Sequence, residues 1–367
     1  MRIPLASPAA WLRIWGAILV VLAPGAILAA RQRGAGPVPG GPPASELRRL
    51  AEGVYADIVG PDGDAVANAG VVVLASGVLI FDSHYSAEAA KALEDKVKAV
   101  TPRPVRYLVN SHFHPDHTHG NQAFAGVRQI IGSTAARRDM LQKDQPALNR
   151  MQVIAQAQVE QLSRELSQEK EAGRQEALRA QLNSRQAFMR RLSNLRIVPP
   201  LMTLDDTLAI EDGDRRVELR FLGAAHTEGD IILFLPREKI AFLGDLFFHE
   251  AIPNVEDAVV LDWMKALGEA LKLDAVTFVP GHGPVGGRQD LEDFLRYFED
   301  LKTMVEPAVA RGDSLELLVQ DARVPPRYAA HAFQNFFPSN LQKMYVELKS
   351  AQAAAAPKGK IIKVPRP

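Results

Sequence analysis

One stretch of eleven residues constrains this chain more than any other: Ser111–Asn121 reads SHFHPDHTHGN. Four histidines and one aspartate fall between positions 112 and 119. A solvated polar loop gives no reason for imidazoles to gather this way, whereas neutral imidazole is the commonest metal ligand among side chains. The run follows Val105–Asn110 (VRYLVN), an apolar segment that reads as a buried strand. His112 and His114 are two apart, and in an extended backbone such residues point to the same side, so both imidazoles can meet one ion. Pro115 then presets the angle at which a helix starts. That places Asp116 and His117 on the next turn, facing a neighbouring position.

Composition narrows the chemistry. The chain has 367 residues and no cysteine. Disulfide frameworks, cysteine-ligated zinc, iron–sulfur clusters and cysteine nucleophiles are therefore excluded, and any metal must be held by histidine and carboxylate. Lys plus Arg and Asp plus Glu are both 43, so no basic excess points to nucleic acid. No Gly-rich phosphate loop follows a strand, which leaves nucleotide binding unsupported.

Arg2 and Arg13 precede a charge-free apolar run, Ile14–Ala30, with small residues at Ala29–Ala30 and no acidic residue before Glu46. This pattern predicts a secretory signal over 1–30, or an uncleaved N-terminal anchor tethering the protein to a membrane. The expected location is periplasmic or extracellular. Residues 31–45 read as a Gly/Pro linker. The main domain is expected over 46–349 and a flexible tail over 350–367.

Within that domain, strands are expected at Val71–Leu74, Val78–Phe81, Val105–Asn110, Gln129–Gly132, Val217–Leu222, Ile231–Leu235, Ile240–Leu243 and Ala275–Pro280. Helices are expected near Ala87–Val100, Asp262–Leu273, Gln289–Thr303 and Leu315–Lys349. Residues 137–195 form a Gln-, Arg-, Glu- and Leu-rich insert. Their apolar spacing predicts two helices breaking near Gly173: a surface hairpin, or a lid or dimer contact.

Three further residues repeat the placement of the first cluster. His226 (AAHTEGD), Asp245 (IAFLGD) and His282 (TFVPGHG) are each expected at the C-terminal end of an apolar strand. Strand ends on one edge of a sheet converge, which is where α/β folds build their sites. Alone, Asp245 could cap a turn and either histidine could be an ordinary loop residue. Alongside the 112–119 run, metal binding accounts for all of them.

This ordered set resembles the metallo-β-lactamase-fold hydrolases, from about Gly53 to Leu301. The resemblance implies an α/β fold, a four-layer αββα sandwich with the site at one edge. It implies a first zinc on His112, His114 and His226, a second on Asp116, His117 and His282, and Asp245 bridging the two. Asp82, closing the strand VLIFD, matches a family aspartate that supports the site from behind. The ligand types suit Zn²⁺, with Fe or Mn as alternatives. His119 stands where the family usually has a small residue. It reads as a strained turn residue, an extra contact at the site mouth, or an exposed side chain. His84 reads as a surface histidine or one facing the entrance.

Two Zn²⁺ lower the pKa of bound water from ~15.7 to ~7, making hydroxide available at neutral pH without a protein nucleophile. Asp116 is the residue expected to orient that hydroxide or pass its proton onward. The expected activity is hydrolysis of an ester, thioester, lactone or amide bond in a small-molecule substrate. The alternatives are a class B-like β-lactamase and a non-catalytic metal-holding periplasmic factor.

Overall fold

A computed structural model describes residues 45–60, 65–124, 126–127, 129–320 and 322–355. The expected export segment, most of the Gly/Pro linker and the end of the tail lie outside these residues. Among the described residues twelve strands form two sheets. The first carries, in spatial and chain order, β1 (Ser45–Ala51), β2 (Val54–Val59), β3 (Ala69–Val73), β4 (Val78–Phe81), β5 (Val105–Val109), β6 (Gln129–Ser133) and β7 (Met202–Leu204). Pairing is antiparallel through β4 and parallel from β4 to β7. The second sheet has β8 (Thr207–Asp212), β9 (Arg215–Phe221), β10 (Ile231–Leu235), β11 (Ile240–Phe248) and β12 (Thr277–His282), ordered β12-β11-β10-β9-β8. Only the β11–β12 pair in this sheet is parallel.

The central strands are apolar at consecutive positions because each sheet is covered on both faces. Val72, Leu79, Phe81 and Val109 point inward, against Leu219, Leu233 and Phe242 of the other sheet. Their neighbours Val71, Ile80 and Leu108 point outward, onto Ala90, Leu93 and Val97 of α1 (Ala87–Val100). Ser86 caps that helix by accepting from the Ala89 amide at 3.1 Å. On the far side, Ile232, Phe234, Ala241 and Leu243 pack beneath Trp263, Phe294, Phe298 and Leu341. Four layers result: helix, sheet, sheet, helix.

The remaining helices are α2 (Pro115–Thr118), α3 (Thr134–Asp139), α4 (Gln145–Gln168), α5 (Ala172–Asn194), α6 (Val260–Ala270), α7 (Arg288–Arg311), α8 (Leu315–Gln320) and α9 (Phe337–Ala355). A π-helical turn, Met140–Asp144, joins α3 to α4. Among the described residues no helix is long and apolar enough to cross a membrane.

Several expectations need correction. The linker ends earlier than expected, because Ser45 opens β1 and pairs opposite Val59. The insert is two helices, as expected, and the break near Gly173 falls at 169–171, so that the glycine itself lies in the first turn of α5. There Glu169 Oε1 accepts the amides of Lys170 and Glu171 at 2.8 and 3.0 Å, so a carboxylate turns the chain and the glycine is carried as an ordinary helical residue. The C-terminal part is helical, as expected, but in separate pieces. Pro325 and Pro326 interrupt it, and an irregular stretch with short 3₁₀ turns separates α8 from α9. Helix α9 then runs to Ala355, past the expected start of the tail.

Candidate metal centre

Strand β5 delivers the chain to His112 at the sheet edge. His114 precedes α2, its backbone still extended, and Pro115 supplies the first helical residue. The Thr118 hydroxyl donates to the His114 carbonyl at 3.0 Å and closes the turn. Phe113, between the two histidines, is buried against Ala136 and Met140 at the root of the helical insert. The insert therefore packs on the loop that carries His112 and His114, while α4 and α5 pack mainly on each other through Leu148, Ala155 and Leu192.

His226 lies in the loop between β9 and β10, past the strand end where it was expected. Asp230 holds that loop by accepting from the Thr227 amide and hydroxyl at 2.7 and 3.0 Å. Burial pushes the Asp230 carboxyl up to about 7, outweighing these bonds. Asp245 does not end its strand: β11 continues to Phe248, and the register against β12 shifts on both sides of Gly244. Gly244 has φ +53°, a conformation that suits glycine, and a Cβ there would press to 2.6 Å from Ser111 Cβ. The bulge thus presents Asp245 from mid-strand. His282 is the last residue of β12. At the preceding Gly281, a Cβ would collide with Asp245 Oδ1.

All seven expected ligand residues converge. One donor atom each from His112, His114, His226 and Asp245 lies within 4.8 Å of the others, and the same holds for Asp116, His117 and His282. In the first group, His114 Nδ1 is 3.0 Å from His112 Nε2 and 2.9 Å from His226 Nε2. In the second, Asp116 Oδ2 is 3.3 Å from His282 Nε2 and 3.7 Å from His117 Nε2. Asp245 stands between the groups. Its Oδ2 is 3.2 Å from His226 Nε2 and 3.4 Å from His282 Nε2, and its Oδ1 is 3.1 Å from His117 Nε2.

Supporting contacts orient the rings. Asp82 Oδ2 meets His117 Nδ1 at 2.8 Å, while Asp82 Oδ1 accepts the Ser111 amide at 2.7 Å. Asp257 does the same for His114, with Oδ2 at 3.1 Å from Nε2. Lys143 of the π turn reaches the other oxygen of Asp257 at 2.9 Å. Ser111 Oγ is 2.9 Å from His112 Nδ1.

The donor set fits a cation pair. His117 Nε2 and Asp245 Oδ1 are buried, 3.1 Å apart, and neither has a hydrogen-bond partner of proper geometry among the described residues. Buried polar atoms are rarely left so. Neutral imidazoles and ionised carboxylates are also the forms that bind metal. Burial, reinforced by the neighbouring His117 and His114, holds His112 well below the usual histidine range. Burial likewise pushes His226 down to about 3, against the opposing pull of Asp245. Around the second group the carboxylates prevail over burial. Asp245, Asp82 and Asp116 hold His117 well above the ordinary value, and Asp245 with Asp116 raises His282 to about 9. Burial resists ionisation of Asp116 and Asp245, yet the adjacent imidazoles hold both below the usual carboxylate range.

Two histidines depart from expectation. His119 is neither strained nor exposed: its φ is −68°, its ring is buried, and Nε2 lies 3.1 Å from Asp144 Oδ2. His84 is not at the surface or the entrance. It is 1% exposed, bonded to the Ala67 carbonyl and to Asp57. Asp82 and His84 themselves have left-handed backbones, both with φ +65°.

An αββα sandwich with a His/Asp centre at one edge of its paired sheets defines the structural class. The chain belongs to the metallo-β-lactamase superfamily of metal-dependent hydrolases: the family model "Metallo-beta-lactamase superfamily" matches residues 62–282. It is similar to the linear primary-alkylsulfatase of a Pseudomonas strain, 21% identical over 268 residues, covering 70% of this chain and 49% of the relative. It is also similar to the metallo-β-lactamase type 2 of Bacillus cereus, 34% identical over 94 residues, covering 24% of this chain and 37% of that one. The chain thus spans half or less of the curated relatives it matches. A solved metallo-β-lactamase from Pontibacter korlensis shares the fold with a TM-score of 0.51 at 18% identity, covering 70% of this chain and 99% of that structure.

Proposed function

We propose that this protein is an exported dinuclear zinc hydrolase acting on an ester, thioester, lactone or amide bond of a small molecule. The observation that carries this reading is the placement of Asp245, whose two carboxylate oxygens face the two histidine groups. When bound, the two ions supply Lewis-acid polarisation of the scissile bond and lower the pKa of water toward ~7.

The protein's own side chains do the rest. His112, His114 and His226 would hold one ion and Asp116, His117 and His282 the other, with Asp245 placed to serve both. Asp82 and Asp257 fix the ring orientations of His117 and His114. Asp116 is half-buried and stays ionised, so its free oxygen is available to orient an attacking water and take up its proton. Export rests on the Ile14–Ala30 run and would place the enzyme in the periplasm or outside the cell, free or tethered by an uncleaved N-terminus.

Sulfate esters are a second reading, favoured because the relative covering 70% of this chain is an alkylsulfatase. β-Lactam hydrolysis rests on a match to only 24% of the chain and is decided by nitrocefin turnover.

Metal analysis of the purified protein, followed by a panel of esters, thioesters, lactones, amides, β-lactams and sulfate esters, tests the proposal. About two zinc ions per chain are expected, with turnover lost to a chelator and restored by zinc. A folded protein holding both ions without turnover anywhere on the panel would favour a metal-holding factor and overturn the enzyme reading.

A further inference from the structure

Phe333 lies beyond residue 282, where the family match ends, and no part of the metal-binding arrangement requires it. Its backbone is left-handed, φ +58° and ψ +34°, a region that bulky side chains avoid. The strain is held in place by the neighbouring residue. The Ala332 amide donates to the Glu250 carbonyl, and the Ala332 carbonyl accepts from the Ile252 amide, both at 2.9 Å. This bridge runs along the segment that leaves β11, whose His249 amide bonds the His282 carbonyl at 3.0 Å.

The result is an aromatic ring set edge-on to His282, with centroids 5.9 Å apart and planes at 88°. Phe248 and His117 also pack on His282, Phe248 stacked at 5.0 Å and buried and His117 edge-to-face at 5.8 Å. Phe333 differs in being 42% exposed. Phe336 covers part of the ring, with centroids 6.1 Å apart, yet a large apolar side chain stays this exposed beside a proposed ligand, in a backbone conformation it would otherwise avoid.

We propose that Phe333 is a specificity-determining residue, the apolar wall of the substrate subsite on the Asp116–His117–His282 side, and that it selects substrates bearing an alkyl or aryl group beside the reacting bond. This rests on the hydrolase reading for its substrate class but not for its test.

The test uses the full zinc-loaded chain and straight-chain carboxylates from acetate to octanoate, titrated by calorimetry without turnover. Affinity should rise about 2–4-fold for each added CH₂ that the ring covers. Phe333→Ala should flatten that dependence while leaving acetate affinity and zinc content unchanged, and Phe333→Leu should restore much of it. A wild type with no chain-length dependence, or a Phe333→Ala protein with the same dependence, overturns the proposal. Loss of zinc in Phe333→Ala with the dependence intact also overturns it, making Phe333 a support for His282 instead. Failure of the hydrolase reading would appear separately, as absent turnover in a protein whose carboxylate binding still follows chain length.

Discussion

His112, His114 and His226 face one another with few carboxylates near, whereas Asp116, His117 and His282 surround themselves with negative charge. Three of the imidazoles illustrate the outcome: His226 is driven down to about 3, while His282 rises to about 9 and His117 stands well above its ordinary value. The ring is the same and the burial is similar; the carboxylate count decides. His112 and His226 are therefore held in the neutral form that a cation needs, while His117 and His282 have to surrender protons when a cation arrives. The comparison teaches that a pair of adjacent sites can be made unequal by where the aspartates stand, with no change of ligand type.

The strongest way to break this comparison is to remove the residue both halves share. Asp245→Ala should lower turnover by more than the ~10–100-fold that loss of a supporting hydrogen bond costs a metal site, and should drop zinc well below two per chain. Turnover near wild type, with zinc retained in elemental analysis, would refute the bridging role.

Next come the supports, which separate the halves. Asp82→Asn should weaken only the site containing His117, and Asp257→Asn only the site containing His114, each by about 10–100-fold in zinc affinity. Competition with a metal-binding dye reads both. Equal weakening of both sites by either variant would show that the groups act as one unit.

Proton release sharpens the contrast further. Zinc titrations in buffers of different ionisation enthalpy, near pH 7, should show protons released by His117 and His282 and none by His112 or His226. In His282→Ala the release belonging to that ring should vanish.

The smallest expected effect is on the metal-free protein. His282, raised above its unfolded value, contributes stability that is complete below about 6.5 and lost as pH rises through about 9. His226 and His112, depressed below theirs, contribute in the opposite sense, with stability lost as pH falls below about 6.5. Urea unfolding with chelator present should therefore show a slope above pH 7 that is shallower in His282→Ala.

Much of this centre is legible in the sequence because its residues carry strong local signals. The 112–119 run is dense in imidazole, and Asp82, Asp245 and His282 adjoin apolar strands. What the pattern could not give depends on contacts between distant segments. Asp257 sits in an unremarkable loop and matters only because the fold brings His114 to one of its oxygens and Lys143 to the other. His84 and His119 look like spare polar residues until Asp57 and Asp144 arrive to satisfy them. Strands β1 and β8 escaped for a different reason. They stand at sheet edges, and their alternation of exposed and half-buried side chains is too polar to read as a strand.

The absent side chain at Gly281 has a practical consequence. A single methyl group there would occupy the space of an Asp245 oxygen. Any laboratory evolution campaign that seeks new reactivity by diversifying this rim therefore has one locus with no permissible neighbour in sequence space. Useful variation has to come from segments that do not press on the ligand residues in this way, such as the 140–194 hairpin and the stretch around Phe333.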